Sequence, residues 1–142
     1  MKKILILSIA ICLTGFLQVI HAQEVKHLTT AEFKKEIWNF SDNKDWKYLG
    51  DKPAIVDLYA TWCPPCKKLS PILEQIQKDY GKKIQIYKVD VDKEPELAQL
   101  FNASSIPMMI FIPKDGKPFS VTGLRPQDQI EQIIKEKLDI KK

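Results

Sequence analysis

The spacing of apolar residues changes from segment to segment, and each change marks an element. Ala54 to Ala60 (Ala-Ile-Val-Asp-Leu-Tyr-Ala) is almost wholly apolar, as a central strand covered on both faces must be. Ile84 to Val91 alternates and Met108 to Ile112 is again continuous, so both predict strands, while the short, partly apolar Glu24 to Leu28 suits a sheet edge. Helical spacing takes over elsewhere. Thr29 followed by Glu32 is a capping box, and Phe33, Ile37 and Phe40 then share one face, predicting a helix to about Phe40. Leu69, Ile72, Leu73 and Ile76 recur at core spacing in a helix from Pro64 to Tyr80 that Gly81 ends and that Pro71, inside it, should bend. Glu94 to Phe101 predicts a short helix, and Asp115-Gly116 turns the chain into a strand from Phe119 to Gly123. Pro126 to Leu138 closes the chain as an amphipathic helix with Ile130, Ile133, Ile134 and Leu138 inward. The predicted order is βαβαβαββα, an α/β fold. Between the first helix and the central strand, Ser41 to Lys52 is polar and turn-rich. Its Trp46, Tyr48 and Leu49 are expected to pack down, contact with a partner being the alternative.

The start of the chain follows a different pattern. Met1-Lys2-Lys3 precedes an apolar run from Ile4 to Leu17 and a small residue at Ala22, before Gln23, which together predict a secretory signal over residues 1–22 and a domain over 23–142. Export to a bacterial periplasm is the expectation. Ile20 is bulky for its place before the cut, so an uncleaved anchor in the inner membrane is the alternative. Cys12 follows Ile11, where a lipoprotein signal wants a small residue, and is expected to leave with the leader. The formal charge of +4 loses Lys2 and Lys3 and no acid, falling to about +2, and no basic patch argues for nucleic acid. About 120 residues without a repeat or a second long apolar stretch suit one soluble domain, expected as a monomer.

The candidate chemistry lies in Trp62-Cys63-Pro64-Pro65-Cys66, where the central strand hands over to a helix. A helix N-terminus favours negative charge, and the thiolate is the form of cysteine that attacks disulfides, so Cys63 is the expected nucleophile. Cys66, one turn on, can close a bridge with it or resolve a mixed disulfide. Zinc would need a second Cys or His pair, and after residue 22 only His27 remains; haem attachment would need a histidine where Lys67 stands. No metal or cofactor is expected beyond a redox-active disulfide. An inert structural bridge is the stronger alternative, although so small a loop restrains the unfolded chain little. Asp57 interrupts an apolar run, and a buried carboxyl group is hard to ionise, which fits it to carry a proton near neutral pH. A solvent-facing Asp57 on an edge strand is the competing reading. Lys88, taken alone, reads as the outward face of its strand.

From about Glu24 to Leu138 the chain resembles the thioredoxin family. The resemblance is carried by Trp62 to Cys66, Asp57, Pro71, the Ile106-Pro107 pair before a strand, and Gly123 after the last strand. It implies a thioredoxin fold, with a central mixed β-sheet flanked by helices and a substrate groove around the disulfide lined by Trp62, Pro64, Pro65, Ile106, Pro107 and Gly123. It also implies that Asp57 is the buried acid behind the resolving cysteine, that Lys88 is the lysine beside it, and that Pro107 is cis and faces the disulfide. A cis bond there would let Ile106 offer its backbone N–H and C=O to an extended substrate, largely independent of sequence. The chain departs from the commonest family pattern at Pro64, which stands in place of glycine. Neither inter-cysteine residue then donates an N–H to the Cys63 thiolate, while two prolines stiffen the loop, so the reduction potential is pulled both ways.

The function implied is that of an exported thiol-disulfide oxidoreductase acting on disulfide-bearing proteins as a periplasmic reductant, re-reduced by a membrane thiol electron transporter. Two alternatives stand beside it. One is a dedicated reductant of apocytochrome c in cytochrome c maturation, although relatives with that task usually carry an insert that this chain lacks. The other is a redox-inert binding module, which would be expected to lack one of the two cysteines.

Overall fold

The computed structural model describes residues 24–142; the expected leader, Cys12 and the cut before Gln23 lie outside the described residues. Within them run strand β1 (Lys26–His27), helix α1 (Thr30–Glu36), strand β2 (Ala54–Tyr59), helix α2 (Pro64–Tyr80), strand β3 (Gln85–Asp90), helix α3 (Pro95–Leu100), strands β4 (Met108–Ile112) and β5 (Phe119–Thr122), and helix α4 (Gln127–Lys137). The order is the βαβαβαββα expected. The sheet runs β1-β3-β2-β4-β5, with β2 parallel to β3 and antiparallel to β4. Central placement explains the apolar run of β2: both of its faces are covered.

Side chains alternate along each strand, so the sheet builds two cores. Val56, Leu58, Val89 and Ile110 pack with Phe33 and Leu97 on the α1 and α3 side. Ile55, Ile86, Met109 and Phe111 pack with Leu69, Leu73, Ile76, Ile130 and Ile134 on the α2 and α4 side. β3 is buried along its whole length and not alternately exposed, because helices cover it from both sides.

The first helix is shorter than its periodicity predicts. Its capping box forms as expected, with the Thr29 N–H donating to Glu32 Oε2 at 2.8 Å. After Glu36, however, the backbone leaves the helix at Ile37, and the Trp38 N–H turns back to the Phe33 carbonyl at 3.1 Å. The departure lets the Trp38 ring meet Trp46 at a centroid distance of 5.2 Å, and Trp46 Nε1 donates to the Gly116 carbonyl at 3.0 Å. The aromatics of the polar excursion thus pack onto the fold, while Leu49 stays exposed. α2 is continuous across Pro71 and ends at Gly81, whose φ of 52° suits glycine.

Candidate active site

β2 delivers the chain to the sheet's C-terminal edge, and after Ala60, Thr61 and Trp62 the residue Cys63 caps α2 in extended backbone. Pro64 and Pro65 occupy the first helical positions, where a missing N–H leaves no helical bond unmade. The Cys66 N–H donates to Cys63 Sγ at 3.2 Å. Cys63 and Cys66 are joined by a disulfide with a Cα–Cα distance of 5.3 Å. With both prolines silent, the Cys66 amide is the backbone donor that the terminus offers to the Cys63 sulfur.

An attacking thiol at the helix terminus is expected to present an exposed edge that Cys66 lacks; in the structure both cysteines are only 2% exposed. Tyr59, Ala60, Val91 and Ile106 pack around the pair. The two sulfurs therefore differ in their place on the helix end and not in exposure. Trp62, expected to line the groove, is 65% exposed. Its Nε1–H donates to Asp92 Oδ2 at 2.7 Å, so the ring is pinned at the rim. Asp92 carries no signal of its own in the sequence, although the β2–β3 register, which pairs Tyr59 with Asp90, brings the residues after both strands together.

Across from the bridge the Ile106–Pro107 peptide bond is cis. The Gly123 N–H donates to the Pro107 carbonyl at 2.7 Å, with Gly123 at φ 91°, a conformation that favours glycine. Among the described residues, neither the N–H nor the C=O of Ile106 is bonded to another backbone group. An extended peptide could use both.

Asp57 is fully buried, and neither carboxylate oxygen has a hydrogen-bond partner among the described residues. It lies on the α2 face of the sheet, sharing that face with Ile55 and paired in register with Met109. Burial pushes its carboxyl group up from 3.8 to about 7, against the opposing pull of Lys88. A solvent-facing Asp57 is thereby excluded. Lys88 stands opposite it in the β2–β3 ladder and is largely buried, contrary to its reading as an outward face. Its Nζ donates to Ser70 Oγ at 2.5 Å and lies 4.5 Å from the centroid of the Tyr59 ring. Ser70, too, has no signal in the sequence. The structure thus joins Cys63, Pro64, Pro65 and Cys66 at the start of α2 with Ile106 packed on the cysteines, links Pro107 to Gly123 beside it, leaves Trp62 at the rim, and sets Asp57 and Lys88 side by side on the α2 face of the sheet.

Residues 24–136 match the family model described as Thioredoxin. The chain is 44% identical over 109 residues to a thioredoxin of Borreliella burgdorferi, covering 77% of this chain and 93% of that protein. A thioredoxin of Staphylococcus saprophyticus is 40% identical over 101 residues, covering 70% of this chain and 91% of the relative. Among solved structures, a chloroplastic thioredoxin z superposes with a TM-score of 0.66 at 28% identity, over 78% of this chain and 91% of that one. With a redox-capable cysteine pair capping α2 beside a cis-proline, the chain belongs to the thioredoxin family and is a thiol-disulfide oxidoreductase.

Proposed function

We propose that the mature chain acts outside the cytoplasm as a reductant of protein disulfides, with Cys63 as the attacking thiol and Cys66 as the resolving one. The observation that carries this division of roles is the cap of α2, where Cys63 Sγ accepts the Cys66 N–H and faces the positive end of the helix. Both favour a thiolate at Cys63 once the bridge is reduced. The Cys63 thiolate attacks a substrate disulfide, forming a mixed disulfide and releasing one substrate thiolate. Asp57 then takes the proton of the Cys66 thiol, and the Cys66 thiolate attacks Cys63 Sγ, expelling the second substrate thiolate and re-forming the bridge. Two electrons pass to the substrate. Lys88 tempers the charge of Asp57 from the neighbouring strand.

Trp62, Pro64, Pro65, Ile106, Pro107 and Gly123 form the groove in which the substrate chain lies, with the backbone of Ile106 pairing to it as an added strand. The leader-like pattern of Met1 to Ala22 supports export. In that compartment a membrane thiol electron transporter is the class of donor that would re-reduce the bridge.

Reduction of insulin disulfides tests the roles. Cys63→Ser should fall to background, whereas Cys66→Ser should attack and stall as a mixed disulfide visible by mass. Adducts on Cys63→Ser and none on Cys66→Ser would reverse the assignment, and background activity in the unaltered chain would leave a redox-inert binding module. Cell fractionation with mass spectrometry should find a mature chain starting near Gln23 outside the cytoplasm; a membrane-bound chain that keeps Met1 to Ala22 would refute cleavage.

A further inference from the structure

A lysine that faces a buried carboxylate from the next strand normally pairs with it, since the ion pair relieves both desolvated charges. Asp57 and Lys88 are direct register partners on adjacent parallel strands, yet both oxygens of Asp57 remain unbonded. The lysine is engaged elsewhere. Its Nζ donates to Ser70 Oγ at 2.5 Å, and the Ser70 hydroxyl donates onward to Glu74 Oε1 at 3.4 Å. With its proton directed at Glu74, the serine oxygen turns a lone pair to the ammonium. Ser70 and Lys88 line an open cleft of about 420 Å³ between β1 and α2, whose wall includes His27, Glu74 and Gln77. The ammonium therefore lies at the wall of this cleft with Ser70 and the Glu74 carboxylate on its outer side, and the Tyr59 ring 4.5 Å away.

The geometry points to Ser70 as a positioning residue, which draws the Lys88 ammonium outward along α2 and so keeps the Asp57 carboxyl group free of an ion pair. Other groups that titrate surround the lysine. β2 supplies Tyr59, α2 supplies Cys66 and Glu74, β3 itself supplies Asp90, which lines a second cleft with Lys88, Lys93 and Glu94, and β1 supplies His27, whose Nδ1 lies 3.4 Å from the Tyr59 hydroxyl. β4 faces Asp57 with Met109, and α4 packs that side with Ile130 and Ile134. Glu74, at the end of the hydrogen-bond chain, holds the serine oriented.

The effect of Ser70 on exchange rests on the reading of Asp57 as proton acceptor; its effect on the charge of Asp57 does not. Both are measured on the full mature chain with Ser70→Ala, Ser70→Thr, Lys88→Met and the double variant Ser70→Ala/Lys88→Met. Carboxyl carbon NMR follows the titration of Asp57, and disulfide exchange with a peptide substrate is recorded across pH. In Ser70→Ala the freed ammonium turns to Asp57, whose titration should move about 1–3 pH units lower. Ser70→Thr keeps the hydroxyl and should titrate like the parent, while the double variant should match Lys88→Met alone. An Asp57 titration in Ser70→Ala that coincides with the parent overturns the positioning role. A titration that moves while the pH profile of exchange stays fixed upholds Ser70 and overturns the proton-acceptor role of Asp57.

Discussion

The two faces of the sheet are built from the same three central strands and differ in kind. On the α1 and α3 side, Val56, Leu58, Val89, Met108, Ile110 and Ile112 meet Phe33, Ile37 and Leu97 in a dry apolar core. On the α2 and α4 side the same alternation sets Asp57 and Lys88 among Ile55, Ile86, Met109 and Phe111. One face is packed for stability, and the other places a charge that folding disfavours directly beneath the helix that carries the cysteines. The buried acid and its lysine belong to one core, and the other holds neither.

Three changes test that division. The largest effect is expected at Phe33, fully buried on the dry side with its ring centroid 5.7 Å from that of Phe101 and 6.2 Å from that of Phe40. Phe33→Ala should lose about 3–5 kcal/mol of stability in denaturant unfolding, while the folded fraction keeps the parent rate of disulfide exchange. A loss of exchange in protein shown to be folded would mean that the two faces are coupled.

Asp57→Asn should do the reverse. Between pH 4 and 7 the folded chain holds a proton on Asp57 that the unfolded chain releases, because burial lifts this carboxyl group from 3.8 to about 7. The stability it contributes is therefore complete below pH 4 and is lost as pH rises through 7. Asp57→Asn removes that slope. It should unfold like the parent at pH 3 and be more stable at pH 8, by at most about 4 kcal/mol. Exchange should slow all the same, most at lower pH, where less Cys66 is thiolate without a base. Parallel stability profiles for the two proteins from pH 3 to 8 would show that Asp57 titrates as an ordinary exposed acid. The smallest effect is expected at Tyr87, on the dry side, whose hydroxyl donates to Glu36 Oε2 at 3.3 Å near the surface. Tyr87→Phe should change stability by about 1 kcal/mol or less and leave the exchange profile untouched; a moved profile would extend the reactive face through the sheet.

How far the sequence predicts these features depends on whether their cause is local. Asp57 is legible because a carboxylate within an apolar run opposes folding, and nothing beside it in the chain offsets that cost. The cysteine spacing likewise carries its own geometry. Lys88 is misread in isolation, since alternation suggests an outward face and cannot show that β3 is flanked by helices on both sides. Asp92 and Ser70 are missed for the same reason: each becomes a partner only through the register of β2 with β3 or the packing of α2 on the sheet. The end of α1 fails differently. Phe33, Ile37 and Phe40 keep helical spacing, and only the packing of the Trp38 ring, tilted, between Phe40 and Trp46 explains why the chain has left the helix by Ile37.

Pro71 gives α2 a property that the position of the cysteines alone does not. Without an N–H at 71 the carbonyl of Lys67 receives no helical bond, so the ladder is interrupted little more than one turn beyond the bridge. Residues 64–70 are joined to the rest of α2 by one helical bond fewer, and the fully buried Leu69 ties them to the same core as Leu73, Ile76 and Tyr80. The turn that carries the bridge is thus held to the rest of α2 by the packing of Leu69 at the point where the backbone ladder is interrupted.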